Sequence, residues 1–224
     1  MVRSLLLSCL SLPWVLGLSE PQDLSHSYDN TTLYWAFSTP FSFTKVVTAP
    51  LDQWYAANEF QTAEHGGTHL DAPYHFNYNG WQVGDIPLHR LIGRAVLLDL
   101  RQKASNDSDY LVSVEDFEDW EEQQGPIPDG AVIIMDFGWA SKYKNASEYF
   151  GTPFTNNTEL YHFPGLSEAG AQWLVDTGKV FGVGTDTASI DYGQSKDFKA
   201  HKVLSAHNIY NLEHLALPPT PLPP

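Results

Sequence analysis

Three short apolar runs stand out from a largely polar chain: Ala95–Leu100 (AVLLDL), Ala131–Met135 (AVIIM) and Val180–Val183 (VFGV). Each is rich in β-branched residues and bounded by turn formers, the pattern of a buried strand. Two stretches carry helical spacing instead. Ser113 is placed to cap a helix over Val114–Gln124, with Phe117 and Trp120 on one face and Gly125 just past its end. Its acidic run (EDFEDWEE) reads as a solvated face. A second helix starts at Ser167 and runs to Thr177, closed by Gly178, with Trp173 and Leu174 turned inward. A strand follows it directly, so the chain reads as α/β. Residues 23–60 are aromatic and irregular, and no strand is assigned there. From Leu217 the chain reads LPPTPLPP, which can join neither a helix nor an inner strand, so 218–224 is expected to be a proline-rich disordered tail.

Composition narrows the function. The 224 residues, 42% hydrophobic and 17% charged, suit one domain with a core large enough to fold without disulfides or a structural metal. Twelve Lys and Arg against 27 Asp and Glu give a net charge of −15, which excludes a basic nucleic-acid-binding face. Arg3 followed by the apolar run Ser4–Leu18, with small residues at Gly17 and Ser19, reads as a signal peptide over 1–19. The run falls short of the roughly 20 residues that span a bilayer, and Pro13 interrupts it. The mature domain is then 20–217. Cys9 is the single cysteine, so cleavage leaves no thiol for a disulfide, a nucleophile or a metal site. Four N-x-[ST] sequons, at Asn30, Asn106, Asn145 and Asn156, fit a secreted, soluble glycoprotein without membrane attachment after cleavage.

The stretch His65-Gly66-Gly67-Thr68-His69-Leu70-Asp71-Ala72-Pro73-Tyr74-His75 holds three of the nine histidines. Residue frequencies make such a grouping roughly a one-in-a-thousand accident. Two adjacent glycines argue against a helix, and a straight strand would leave His65 and His69 about 13 Å apart. A bend at Gly66–Gly67 would fold His65 back over His69, while His69 and Asp71, two apart, already project side by side. Two imidazoles and a carboxylate suit Zn²⁺, Mn²⁺ or Fe²⁺ with positions left for water. His26, His89, His162 and His214 are expected to be hydrogen-bonded core residues.

These residues carry a family resemblance. H-x-G-T-H-x-D-x-P-x-H resembles the signature of the metal-dependent cyclase-like hydrolases, which include bacterial-type kynurenine formamidase and isatin hydrolase. Gly184-Thr185-Asp186-Thr187-Ala188-Ser189 is similar to the family's G-T-D-T-x-S segment. Ala200-His201 and Asn211-Leu212-Glu213 resemble its late A-H and L-E pair, and Asp23-Leu24-Ser25, Trp35 and Pro40-Phe41 its opening. The resemblance implies a swivelling β/β/α domain, a mixed sheet with flanking helices, assembled as a homo-oligomer such as a dimer. It implies that His65, His69 and Asp71 bind a first ion (Zn²⁺ or Mn²⁺), and that Asp71, His201 and Glu213 hold a second where two are present. His75 then matches the catalytic acid/base and Trp35 an aromatic substrate contact. One departure stands out: where many relatives read L-R-T-G-W, this chain has Met135-Asp136-Phe137-Gly138-Trp139, an acidic residue for a basic one. If that position faced the substrate, it would disfavour a carboxylate-bearing ligand.

With no cysteine and no G-x-S-x-G elbow, metal-activated water is the expected nucleophile. An imidazole of ordinary pKa, about 6.5, at His75 would carry the proton. The expected substrate is a small aromatic amide, N-formylkynurenine-like (arylformamidase type). The alternatives are an isatin-type lactam, a binding glycoprotein that keeps the fold without turnover, and a metal held only for stability.

Overall fold

A computed structural model describes residues 21–220 and 222. The expected signal peptide, with Cys9, lies outside these residues. In chain order the elements are β1 (Ser42–Lys45), β2 (Glu59–Gln61), β3 (His69–Asp71), β4 (Arg94–Asp99), α1 (Arg101–Asn106), β5 (Leu111–Val112), α2 (Val114–Gln124), β6 (Ala131–Asp136), α3 (Ala146–Tyr149), β7 (Gly165–Leu166), α4 (Glu168–Thr177), β8 (Val180–Thr185), α5 (Lys199–Ala206) and β9 (Tyr210–Glu213). The three apolar runs are β4, β6 and β8, each within two residues of its expected ends. Both expected helices form, with Ser113 and Ser167 as N-caps and Gly125 and Gly178 as C-caps.

A five-stranded sheet in the order β3-β9-β8-β6-β4 organises the domain. Its four inner and far strands are parallel, and β3 runs antiparallel to β9 along one edge. Parallel neighbours need crossovers, and α2, α4 and α5 lie within them. The fold is therefore α/β with a mixed sheet and flanking helices, as the sequence leads one to expect.

Alternation along the strands separates two apolar layers. Val96, Leu98, Ile133 and Met135 point into the main core, where Phe117 of α2, Leu174 of α4 and Leu204 of α5 are buried with them. Leu97 and Ile134 face the other way, onto Leu215, Leu217 and Leu24. That second layer ties the chain's start to its end: Ala216 N–H donates to Leu24 O at 2.8 Å. It also anchors the beginning of the proline-rich stretch expected to be disordered. Leu217 is buried, Arg101 Nη1 donates to Pro219 O at 3.2 Å, and Leu222 packs against the layer.

Strands do occur in 23–60, where none was assigned. β1 and β2 form an antiparallel ribbon, Phe43 opposite Phe60. Neither face of the ribbon is buried: Phe43, Val46, Trp54, Tyr55 and Phe60 are all exposed. A strand with no buried face has no reason to alternate polar and apolar positions, so its period-2 signal is missing.

Candidate metal centre

The sheet edge sets the centre. In the β3/β9 ladder His69 is the direct partner of Glu213, and directly opposed residues project from the same side of the sheet. Asp71, two positions on, shares that side. His201 enters from the first turn of α5, and His65 arrives from the loop before β3. Gly67 lies in the left-handed region (φ 60°), and Gly66 passes so close to Tyr34 that a Cβ there would sit 1.9 Å from the ring. The diglycine bend is therefore real. It brings His65 Nδ1 to 2.8 Å and His69 Nε2 to 3.1 Å from the same Asp71 oxygen, Oδ1.

On the other side of the carboxylate, His201 Nε2 is 3.5 Å from Asp71 Oδ2 and 3.1 Å from Glu213 Oε1. All five expected ligands thus meet around Asp71. Two triads, His65–Asp71–His75 and His69–Asp71–Glu213, each bring their ligand atoms within 4.8 Å of one another. The His65 and His69 rings meet edge-on, and His65 lies against His75 with 4.0 Å between centroids.

The chemistry of these atoms fits a cation. Among the described residues, neither oxygen of Asp71 nor His69 Nε2, all buried, has a hydrogen-bond partner. Such groups cost free energy unless something compensates them. The imidazoles are also oriented: His69 Nδ1 is bonded to Gly67 O at 2.8 Å and His201 Nδ1 to the Asp191 carboxylate at 2.7 Å. Both partners can only accept, so both Nδ1 atoms carry a proton and both Nε2 atoms face Asp71 and Glu213, where a neutral ring would present its lone pair to a cation. Burial opposes charge on His69, yet Asp71 and Glu213 carry its pKa up to about 9. Burial likewise opposes charge on His201, which Asp191, Asp71 and Glu213 nonetheless hold well above the ordinary value. Burial would raise Asp71, but the surrounding imidazoles hold it well below the usual carboxylate range.

His75 sits on a single 3-10 turn, Pro73–His75, exposed to solvent on one side. Burial of the rest of the ring, reinforced by the neighbouring imidazoles, lowers its pKa to about 4, not the ordinary 6.5 expected from sequence. Beside it opens a cavity of about 250 Å³ walled by Trp35, Phe76 and Phe198 and floored by the histidine cluster. Trp35, expected as a substrate contact, does line it, braced edge-on by Tyr161 and Phe163. No Lys or Arg is among the lining residues.

Several other expectations change. Asp136 does not line this cavity. It is buried at the end of β6, where it accepts from Gly138 N–H at 2.9 Å and faces Arg101 Nε at 3.7 Å. Asp186 of the G-T-D-T segment lies apart from the ligand set. It is fully buried and accepts from the Phe137, Trp139 and Ala140 amides, while burial pushes its carboxyl up to about 7. Of the four histidines expected in the core, only His214 is buried, and it lines the cavity; His89 is exposed, and His162 is half-exposed and paired with Asp109. Asp191 escaped the sequence reading. Besides fixing His201, it accepts from the Ala200 and His201 amides and so caps α5, from eight residues before the helix begins. Nothing local signals that role.

Residues 22–192 match the family named Cyclase, described as "Putative cyclase". That segment includes His65, His69, Asp71 and His75, while His201 and Glu213 lie beyond it. The chain is 26% identical over 170 residues to an isatin hydrolase of Roseibium aggregatum, covering 72% of this chain and 63% of that one, a little under two thirds of its length. It is 26% identical over 199 residues to a kynurenine formamidase of Bacillus cytotoxicus, covering 89% and 83%. Among solved structures, isatin hydrolase A of Ralstonia solanacearum superposes with a TM-score of 0.78 at 25% identity, over 88% of this chain and 81% of that one.

Proposed function

This chain belongs to the Cyclase family, and from that premise we propose that it is a metal-dependent hydrolase that cleaves a small amide other than a peptide with water. The observation that carries the proposal is the unpartnered, buried pair of Asp71 oxygens, ringed by imidazoles and Glu213 beneath an aromatic cavity. His65, His69, Asp71, His201 and Glu213 would hold one or two divalent ions, Zn²⁺ or Mn²⁺, with Asp71 shared. A bound ion supplies Lewis acidity for an amide carbonyl and makes water a competent nucleophile near neutral pH.

The chain's own groups do the rest. Trp35, Phe76 and Phe198 take up an aromatic ring and exclude water from it. His75 is neutral at pH 7, since its pKa lies near 4. It can therefore accept a proton from water, and its conjugate acid gives that proton up to the leaving nitrogen more readily than an ordinary imidazolium would.

The cavity favours one of the two substrate readings. An α-amino-acid formamide such as N-formylkynurenine brings a carboxylate, and no Lys or Arg is among the described residues that line the cavity to pair with it. An uncharged cyclic aryl amide of the isatin type needs no such partner. The lactam reading is therefore placed ahead of the formamide. Exposure of all four sequon asparagines supports the reading of a secreted glycoprotein. The bare aromatic ribbon supports a homo-oligomer, since exposed apolar patches mark interaction surfaces.

The test is to purify the chain from a secreting host, determine its metal, and assay isatin and N-formylkynurenine before and after chelation. A stoichiometric divalent ion is expected, with turnover of isatin that chelation abolishes and added metal restores. Fully metallated protein that is inert on both substrates and on related lactams overturns the proposal.

A further inference from the structure

His214 lies beside the ligand set without belonging to it. Successive residues of a strand face opposite sides, yet Glu213 and His214 both line the cavity. The left-handed backbone of His214 (φ 54°) breaks the alternation at the end of β9. Its main chain is held from both sides: the N–H donates to Thr187 O at 3.0 Å, and the carbonyl accepts from Thr68 Oγ1 at 2.6 Å.

The ring is held as firmly. The buried Tyr149 hydroxyl lies 3.0 Å from the Asp186 carbonyl oxygen and 3.0 Å from His214 Nδ1. A carbonyl can only accept, so the single hydroxyl proton goes to Asp186, and the hydroxyl oxygen accepts from His214 Nδ1–H. In a neutral imidazole that leaves Nε2 as a bare lone pair. No described residue hydrogen-bonds to it.

We infer that His214 Nε2 accepts a hydrogen bond from the N–H of an uncharged secondary amide or lactam in the cavity, with Tyr149 and the Asp186 carbonyl fixing the tautomer that makes this possible. The inference rests on the hydrolase reading above and deepens it, because it names the substrate feature that is recognised. His75 and His214 then divide the work. His75, against His65 and His201, carries the proton; His214, whose ring lies 5.9 Å from that of His69, positions the substrate. A substrate alkylated on its nitrogen cannot make the bond and leaves the acceptor unpaired.

The experiment compares kcat/KM for isatin against N-methylisatin, and for formanilide against N-methylformanilide, in the metallated wild type, His214→Asn and Tyr149→Phe, with metal content measured for each. Asn tolerates the left-handed backbone but is too short to reach the same point. The wild type is expected to prefer the N–H substrate about tenfold, the scale of one hydrogen bond. His214→Asn is expected to bring the ratio near one with metal content unchanged, and Tyr149→Phe to lower it part-way without touching the cavity. Nitrogen-15 NMR of the wild type should show the Nδ1–H tautomer at His214, a readout independent of either variant's folding. Equal wild-type rates on both members of a pair, an unchanged ratio in His214→Asn, loss of metal in that variant, or an Nε2–H tautomer each overturns the inference while leaving the hydrolase reading intact. A metallated wild type inert on all four compounds removes the hydrolase reading, and this inference with it.

Discussion

The two halves of the centre are built differently. His69, Asp71, His201 and Glu213 sit on a strand pair and a helix, all at most 11% exposed at the side chain. Three of them have a second partner that fixes their direction: Gly67 O for His69, Asp191 for His201, and the Ile190 amide for Glu213 at 3.0 Å. His65 and His75 sit on a bend and a single 3-10 turn. Their rings lie against each other, and no described residue hydrogen-bonds to either ring. The first half is set by the packed sheet before any ligand arrives. The second is held by two glycines and one carboxylate, and it is the half that opens onto solvent. Folding thus fixes where a cation would sit, and leaves freer the group that must meet water and substrate.

Asp71 joins the halves, and removing it is the most damaging change expected. Asp71→Asn removes the charge and halves the acceptor capacity shared by both triads. Metal content is expected to fall to near zero and turnover to background, as read by elemental analysis and isatin hydrolysis. His75→Ala, in the open half, is expected to keep its metal while losing about 10²- to 10⁴-fold in kcat, the usual share of a general acid/base. If His75→Ala loses metal as fully as Asp71→Asn does, His75 is a ligand of the His65 triad, and the division of the centre into a fixed half and a working half collapses.

A smaller effect is expected from Gly66→Ala. The new methyl would overlap the Tyr34 ring, which cannot swing away freely because its hydroxyl is bonded to Thr62 Oγ1 at 2.6 Å. Relief must come from the bend that carries His65. Overpacking of this kind costs about 1–3 kcal/mol, and it should appear in thermal unfolding as a lowered Tm. If the open half alone depends on the bend, metal affinity should also drop, while Asp191→Asn weakens binding through His201 with the bend undisturbed. A Gly66→Ala protein that binds metal and turns over as the wild type does would show that the bend is not what places His65.

Much of this could be read along the chain, and the rest could not for identifiable reasons. β4, β6, β8, α2 and α4 announce themselves because each buries a face whose period is local. The diglycine between His65 and His69 predicted a bend from conformational freedom and reach alone. By contrast, β1 and β2 bury no face, and β3 is three residues long. His201 and Glu213 entered only through resemblance, since their approach to Asp71 is made by α5 and β9 across more than a hundred residues. Asp191 and Tyr149 act through hydrogen bonds to residues 9 to 65 positions away, which leave no period and no motif. His214 misled for a different reason: it is buried and bonded like a core histidine, but its backbone turns the ring into the cavity.

The smallest effect is expected at Asp136, where this chain departs from the family's basic residue and where a change of specificity first suggested itself. The carboxylate points away from the cavity, onto the Gly138 amide and Arg101. Burial raises its pKa; the Gly138 amide and Arg101 oppose the shift, and Asp99 adds to it. A carboxyl raised in the folded state holds its proton longer there than in the unfolded chain, so this group's contribution to stability falls as pH rises from the unfolded value of about 4 through the folded one. Asp136→Asn keeps an oxygen for the Gly138 amide and removes the buried charge. Above that window it should leave stability unchanged or raise it by at most about 1 kcal/mol, with kcat/KM for isatin within about twofold of wild type. Thermal unfolding from pH 4 to 8 should show the wild type and the variant converging toward the acid end. A variant that instead gains turnover on carboxylate-bearing formamides would place position 136 in contact with substrate, and would show that the lack of Lys and Arg along the cavity is not what sets its preference.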